Sequence, residues 1–188
     1  MVSRRSLLVG GVMVATGLGL SKRASASVVR ALSLSELVHT SRFACVGTAV
    51  NAVGRWETIG RSERIVTYSL IRVEHSVDGR PAPTRELMVR TLGGRVEGIG
   101  QVVPGEATLR LNEPATVFLE DLSKDLFAVT AMAQGHYPLV ADTRGVKRLQ
   151  PRTAQLELVG DVSGSAVKRL TGRTVPEVES LVYSEINQ

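Results

Sequence analysis

The chain has 188 residues, 43% of them hydrophobic and 4% aromatic, a length that suits one domain with a sizeable buried core. Its 23 Lys and Arg against 18 Asp and Glu give a net charge of +5, but Arg4, Arg5, Lys22 and Arg23 fall in the first 26 residues, where no acid occurs. The rest of the chain carries 23 − 4 = 19 basic and 18 acidic residues, a net of +1, which excludes the basic excess that sequence-independent nucleic-acid binding needs.

The N-terminus reads "MVSRRSLLVGGVMVATGLGLSKRASAS": a charged start, an apolar run from Leu7 to Leu20, then the small triplet Ala24-Ser25-Ala26. That order is an export signal over residues 1–26, with Ala24 and Ala26 marking the cleavage site. The run of 14 residues reaches roughly 21 Å as a helix at about 1.5 Å per residue, against roughly 30 Å of bilayer core, so no permanent membrane span is expected. Ser3-Arg4-Arg5-Ser6-Leu7-Leu8 resembles the twin-arginine translocation motif. Gly10, Gly11, Gly17 and Gly19 dilute the apolar run, and Lys22 and Arg23 precede the cleavage site, both as in that family. The resemblance implies export of a folded chain to the periplasm or the medium; the alternative is an ordinary secretion signal with an accidental arginine pair. Cys45 is the single cysteine, so no intramolecular disulfide is expected despite an oxidising destination, and its place in "FACVGTAV" predicts a buried, inert thiol.

Ser33-Leu34-Ser35-Glu36 is a capping box that predicts a short helix through about Thr40. Strand patterns follow at Ala44–Ala52, Arg64–Glu74, Glu86–Thr91, Ala115–Glu120, Leu126–Ala133, Tyr137–Ala141 and Val146–Leu149, separated by turns of Gly, Pro, Asp and Asn. Seven short strands at this spacing predict a mainly β fold, a small antiparallel barrel or sandwich of OB-like type. Beyond it, "TAQLELVG" offers a further strand and "GDVSGSA" a flexible connection. Thr174-Val175-Pro176-Glu177 then predicts a capped C-terminal amphipathic helix, with Val175, Val178, Leu181, Val182 and Ile186 on its apolar face. The expected organisation is a signal over 1–26, a β-barrel over 33–150, and a C-terminal extension over 151–188 whose strand and helix pack on the barrel.

The segments "SRFACVGTAV", "RIVTYSLIRVEHSVDG", "ELMVRTLGG", "LNEPATVFLE" and "AMAQGHYPLV" occur in an order that resembles a group of uncharacterised exported bacterial domains. The first three strands also resemble the OB barrel of netrin-like and metalloproteinase-inhibitor domains. The resemblance spans about residues 34–141 and implies the fold and export alone. The inhibitor family's N-terminal cysteine and disulfides are absent, so protease inhibition is not implied.

The sequence supplies no catalytic, cofactor-binding or metal-ligating set. His39, His75 and His136 lie far apart with no paired spacing, and convergence of Glu57, Glu63, His75 or His136 in one cleft is the pattern that would favour an enzyme. The glycine-rich stretch "RTLGGRVEGIGQVVPG" lacks the Gly-Lys-Ser/Thr ending of a phosphate loop, and Pro104 forbids the helix of a dinucleotide fingerprint. It reads as a strand running into Gly93-Gly94, a crossing at the barrel rim, and a turn at Pro104-Gly105. Trp56, the only Trp, falls in a polar stretch read as a loop between the first two strands. With Arg55, and Arg95 from the glycine-rich stretch, it forms the candidate binding surface. The expected function is a non-enzymatic exported binding module with a protein partner in the cell envelope. The alternatives are an exported hydrolase, an accessory subunit of a twin-arginine-exported enzyme, or a structural envelope component.

Overall fold

The computed structural model describes residues 27–152 and 156–187. The signal motif Arg4-Arg5 and the cleavage residues Ala24 and Ala26 lie outside the described residues.

The chain folds as β1 (Ser27–Arg30), α1 (Leu34–Thr40), β2 (Phe43–Ile59), β3 (Ser62–Ser76), β4 (Glu86–Leu92), β5 (Gly94–Val96), β6 (Ile99–Gln101), β7 (Pro114–Ser123) and β8 (Leu126–Val129). A 3-10 turn (Met132–Gly135), β9 (His136–Ala141), β10 (Lys147–Leu149), β11 (Leu156–Val159), α2 (Ala166–Leu170) and α3 (Val175–Ile186) follow. The fold is mainly β, as expected. Strands β7, β2, β3, β4 and β8 pair in that order, and β8 pairs back onto β7, which closes a five-stranded barrel. Every pair in the ring is antiparallel except β4–β8, so the sheet is mixed where a purely antiparallel one was expected.

Strand β7 serves two neighbours on one edge. Leu119–Ser123 pair with β8 to seal the barrel, while Ala115–Val117 pair with β9, which carries β10 outward. Alternation of side chains along β7 then separates two cores. Ala115, Val117 and Leu119 point into the barrel with Phe43, Cys45, Val89 and Phe127, where the Phe43 and Phe127 rings meet edge-to-face at 5.3 Å. Phe118 points outward into a second core with Tyr137, Leu149 and the buried faces of the three helices. Cys45 is fully buried in the first core, and burial pushes its thiol up to about 12.

The helix ends follow their caps. Ser33 Oγ accepts from the Glu36 amide at 3.1 Å and the Glu36 carboxylate accepts from the Ser33 amide at 2.8 Å. At α3 the Glu177 carboxylate accepts from the amide of Thr174 at 2.7 Å and from its hydroxyl at 2.9 Å. Val178 and Val182 are buried in the outer core, with Val175 and Leu181 packed against it. Ile186 stays exposed; Glu185 takes the last inward position and pairs with Arg169 of α2 at 2.6 Å. "GDVSGSA" is a hydrogen-bonded turn and not a loose connection. Asp161 accepts from Ser163 Oγ and the Gly164 amide, and Ser165 caps α2 by accepting from Lys168 N–H at 3.2 Å. The β8 pattern stops at Val129 because Ala131 and Met132 adopt left-handed backbone, which no ladder accommodates. No helix among the described residues is long and apolar enough to cross a membrane.

Candidate functional site

The site is built by the length of β2. The strand pairs with β7 only from Phe43 to Thr48, yet continues to Ile59 beside β3. Irregularities at Val46/Gly47 and Ala49/Asn51 bend it out of the barrel wall. The β2–β3 hairpin closes at Ile59 and Ser62 through the two-residue turn Gly60-Arg61, with Gly60 at φ +65° in the first position. The result is an arm that extends beyond the barrel.

Trp56 is therefore in strand β2, not in a loop as its polar neighbours suggested. Its side chain and that of Arg55 leave opposite faces of the arm, so the expected surface of Trp56, Arg55 and Arg95 is divided. On the inner face, Arg95 belongs to the β5–β6 hairpin, whose turn Glu97-Gly98 has positive φ at both positions. This hairpin, unforeseen within the glycine-rich stretch, lies against the arm: a Cβ on Gly54 would fall 2.2 Å from the Arg95 carbonyl oxygen. Because Gly54 and Trp56 face the same way, Arg95 is brought to Trp56's side. Trp56 itself is 44% exposed.

The outer face is chemically different. Asn51, Val53 and Arg55 of β2, Tyr68 and Leu70 of β3, and Met88 of β4 line a shallow cleft of about 200 Å³. Val53 is 44% and Met88 36% exposed, so apolar surface meets water at its centre. The Arg55 guanidinium lies 5.7 Å from the Tyr68 ring centroid, a cation–π contact that holds the charge at the rim. The Tyr68 hydroxyl donates to the Glu57 carboxylate, and that bond, then burial and the Glu57 charge, hold the phenol above its ordinary range. Arg90 Nε lies 3.2 Å from the other Glu57 oxygen, a charge contact whose N–H is not aimed along it. Tyr68 is thus fixed as a rigid, half-exposed ring.

No protein-family model matches the chain, and neither a curated protein nor a solved structure does.

A larger cleft of about 660 Å³ lies at the barrel end, between Arg42, Arg80, Pro81, Asp121, Lys124 and Phe127. Both of its arginines are paired: Arg42 with Asp121 at 3.7 Å, and Arg80 with the buried Asp78 at 2.7 Å. Its aromatic rings belong to the barrel core. The groups whose convergence would favour an enzyme stay apart. Glu57 is tied to Tyr68 and Arg90 on the arm, Glu63 is exposed near the arm's tip, and His75 contacts Glu179 of α3 at 3.2 Å. His136 is buried in β9 beside Glu113 and Arg152, and burial first, then the Arg152 charge, lowers it to about 4. Among the described residues no three His, Cys, Asp or Glu side chains gather as metal ligands would.

Proposed function

We infer that the protein is an exported, non-enzymatic binding module whose ligand is another protein of the cell envelope, docked on the outer face of β2, β3 and β4. One observation carries the reading: exposed Val53 and Met88 flank a ring-and-guanidinium pair, Tyr68 and Arg55, on rigid paired strands. Interfaces concentrate their energy in aromatic and Arg anchors surrounded by apolar contacts, and strand-borne anchors lose little freedom on binding. The sheet faces and rim loops of OB-like barrels also serve as binding surfaces in general. Export rests on the N-terminal signal pattern, and the near-neutral remainder of the chain argues against a nucleic-acid ligand.

The test is capture from the producing cell's envelope fraction with the wild-type protein and a V53E/M88E variant. A single stoichiometric partner held by the wild type and released by the variant supports the reading. A partner that both retain, or no partner together with hydrolytic activity of the purified protein, overturns it.

A further inference from the structure

Among the described residues, strand β2 leaves the barrel with one edge unpaired. On that side its last main-chain link is from the Asn112 amide to the Ala49 carbonyl at 2.9 Å, next to the final β7 pair, Thr48 with Pro114. From Asn51 to Ile59 it pairs only with β3 among the described residues. Ile65, directly opposite Trp56, shows which way the free groups point. Its N–H donates to the Gln101 side chain and its carbonyl accepts from the Gly93 amide, both at 2.7 Å and both on the side away from β2. Trp56 and Ile65 are therefore the non-hydrogen-bonded kind of antiparallel pair, and the Trp56 main chain turns to the open edge. Alternation sends Ala52, Gly54 and Thr58 the same way. None of these four has a main-chain partner on that side among the described residues. Natural edges are usually blunted by charged side chains, above all Lys, by Pro or by a bulge. Asn51–Ile59 contains neither Lys nor Pro, its two charged residues, Arg55 and Glu57, are of opposite sign, and the irregularity at Ala49/Asn51 comes before it.

The geometry points to a second copy of this chain on that edge, two β2 strands pairing antiparallel about a two-fold axis at Trp56. In this register Trp56 faces Trp56 of the second copy, and Gly54 faces its Thr58, as hydrogen-bonded pairs that use the outward amides and carbonyls. Between these pairs Arg55 falls opposite Glu57 of the second copy, and just beyond them Val53 falls opposite its Ile59, so charge meets opposite charge and apolar meets apolar. The two neighbouring symmetric registers fail that match: one sets Arg55 against Arg55, the other Glu57 against Glu57, and like charges directly opposed are destabilising. The pairing is isologous and closes at a dimer. It does not rest on the binding reading above, although it sets the two outer faces side by side in one continuous sheet.

The test is the oligomeric state of the purified protein alone, by sedimentation velocity at micromolar concentration, with three variants. T58P removes an outward amide and leaves the β2–β3 ladder intact. W56C places two thiols on opposed residues, whose Cα atoms in a hydrogen-bonded pair lie about 5.5 Å apart, within the roughly 4.4–6.8 Å that a disulfide spans. T58C is the control, because its mate is Gly54. Cys45 is buried and does not compete. The expected result is a wild-type dimer, a T58P monomer with unchanged circular dichroism, and oxidative cross-linking of W56C but not of T58C. A monomeric wild type, a dimer that folded T58P leaves intact, or T58C linking as fully as W56C overturns the proposal. Should T58P not fold, the two cysteine variants decide by themselves. If a strand from a different protein fills the edge, the purified chain stays monomeric and W56C does not link, which overturns it too.

Discussion

At the scale of single residues, Asp78 shows how one side chain can join distant parts of the chain. Val77-Asp78-Gly79 reads in sequence as a turn after a strand. In the structure the buried carboxylate accepts from the Ala44 amide at 2.7 Å, from Ser76 Oγ at 2.9 Å and from Arg80 Nε at 2.8 Å. Arg80 in turn donates to the Ser41 carbonyl at 3.1 Å. The entry of β2, the end of α1 and the turn after β3 are thus held through one carboxylate. Asp78→Ala leaves the Ala44 donor buried and unpaired, a loss of about 1–3 kcal/mol. Urea denaturation is expected to show a lower midpoint in that range, with Asp78→Asn between wild type and Ala.

Among the elements, the glycine-rich stretch shows why composition and conformation have to be separated. Gly94 has φ +129°, and a Cβ there would lie 2.1 Å from Thr67 Oγ1, whose hydroxyl donates to the Gly93 carbonyl at 2.7 Å. Gly98, at φ +86° in the hairpin turn, has nothing within 4 Å of its Cβ position. Gly94→Ala therefore combines backbone strain, about 1–3 kcal/mol, with a clash against β3. Gly98→Ala carries the strain alone. Thermal denaturation is expected to rank the two with Gly94→Ala the more damaging, and hydrogen exchange to show faster opening of β5 and β6 in that variant. Equal effects would mean that the seat on β3 contributes nothing.

For the whole molecule, two cores share the β7 wall, and β9 extends the sheet on which the helices pack. His136 sits in β9, buried and neutral, with Arg152 and Glu113 facing it. Its folded value of about 4 lies below its ordinary 6.5, so the unfolded chain binds this proton more readily. The stabilising contribution, on the order of 3 kcal/mol, is full above pH 6.5 and is lost as pH falls towards 4. Stability measured by denaturant is expected to fall across that window, and His136→Gln to flatten part of the fall. An unchanged slope in the variant would show that His136 does not carry it.

Local pattern was enough for much of this protein. The capping boxes at Ser33 and Thr174 fixed where α1 and α3 begin, because a cap is satisfied within four residues of chain. Alternation marked β3 and β4, and β-type runs marked β2, β7 and β9, because strand signals of this kind lie within a few residues of chain. The buried thiol of Cys45 was legible from its apolar neighbours. Tertiary structure decided the rest. Polar residues around Trp56 read as a loop, whereas pairing with β3 keeps them in a strand whose two faces both reach solvent, so the usual hydrophobic signal is missing. For the same reason Trp56 and Arg55, adjacent in sequence, separate to opposite faces, and the cleft gathers Tyr68, Leu70 and Met88, which sequence reasoning had not singled out for binding. The closure of β8 onto β7 and the open edge of β2 depend on which strands meet, and that is set by long-range pairing that no local window contains.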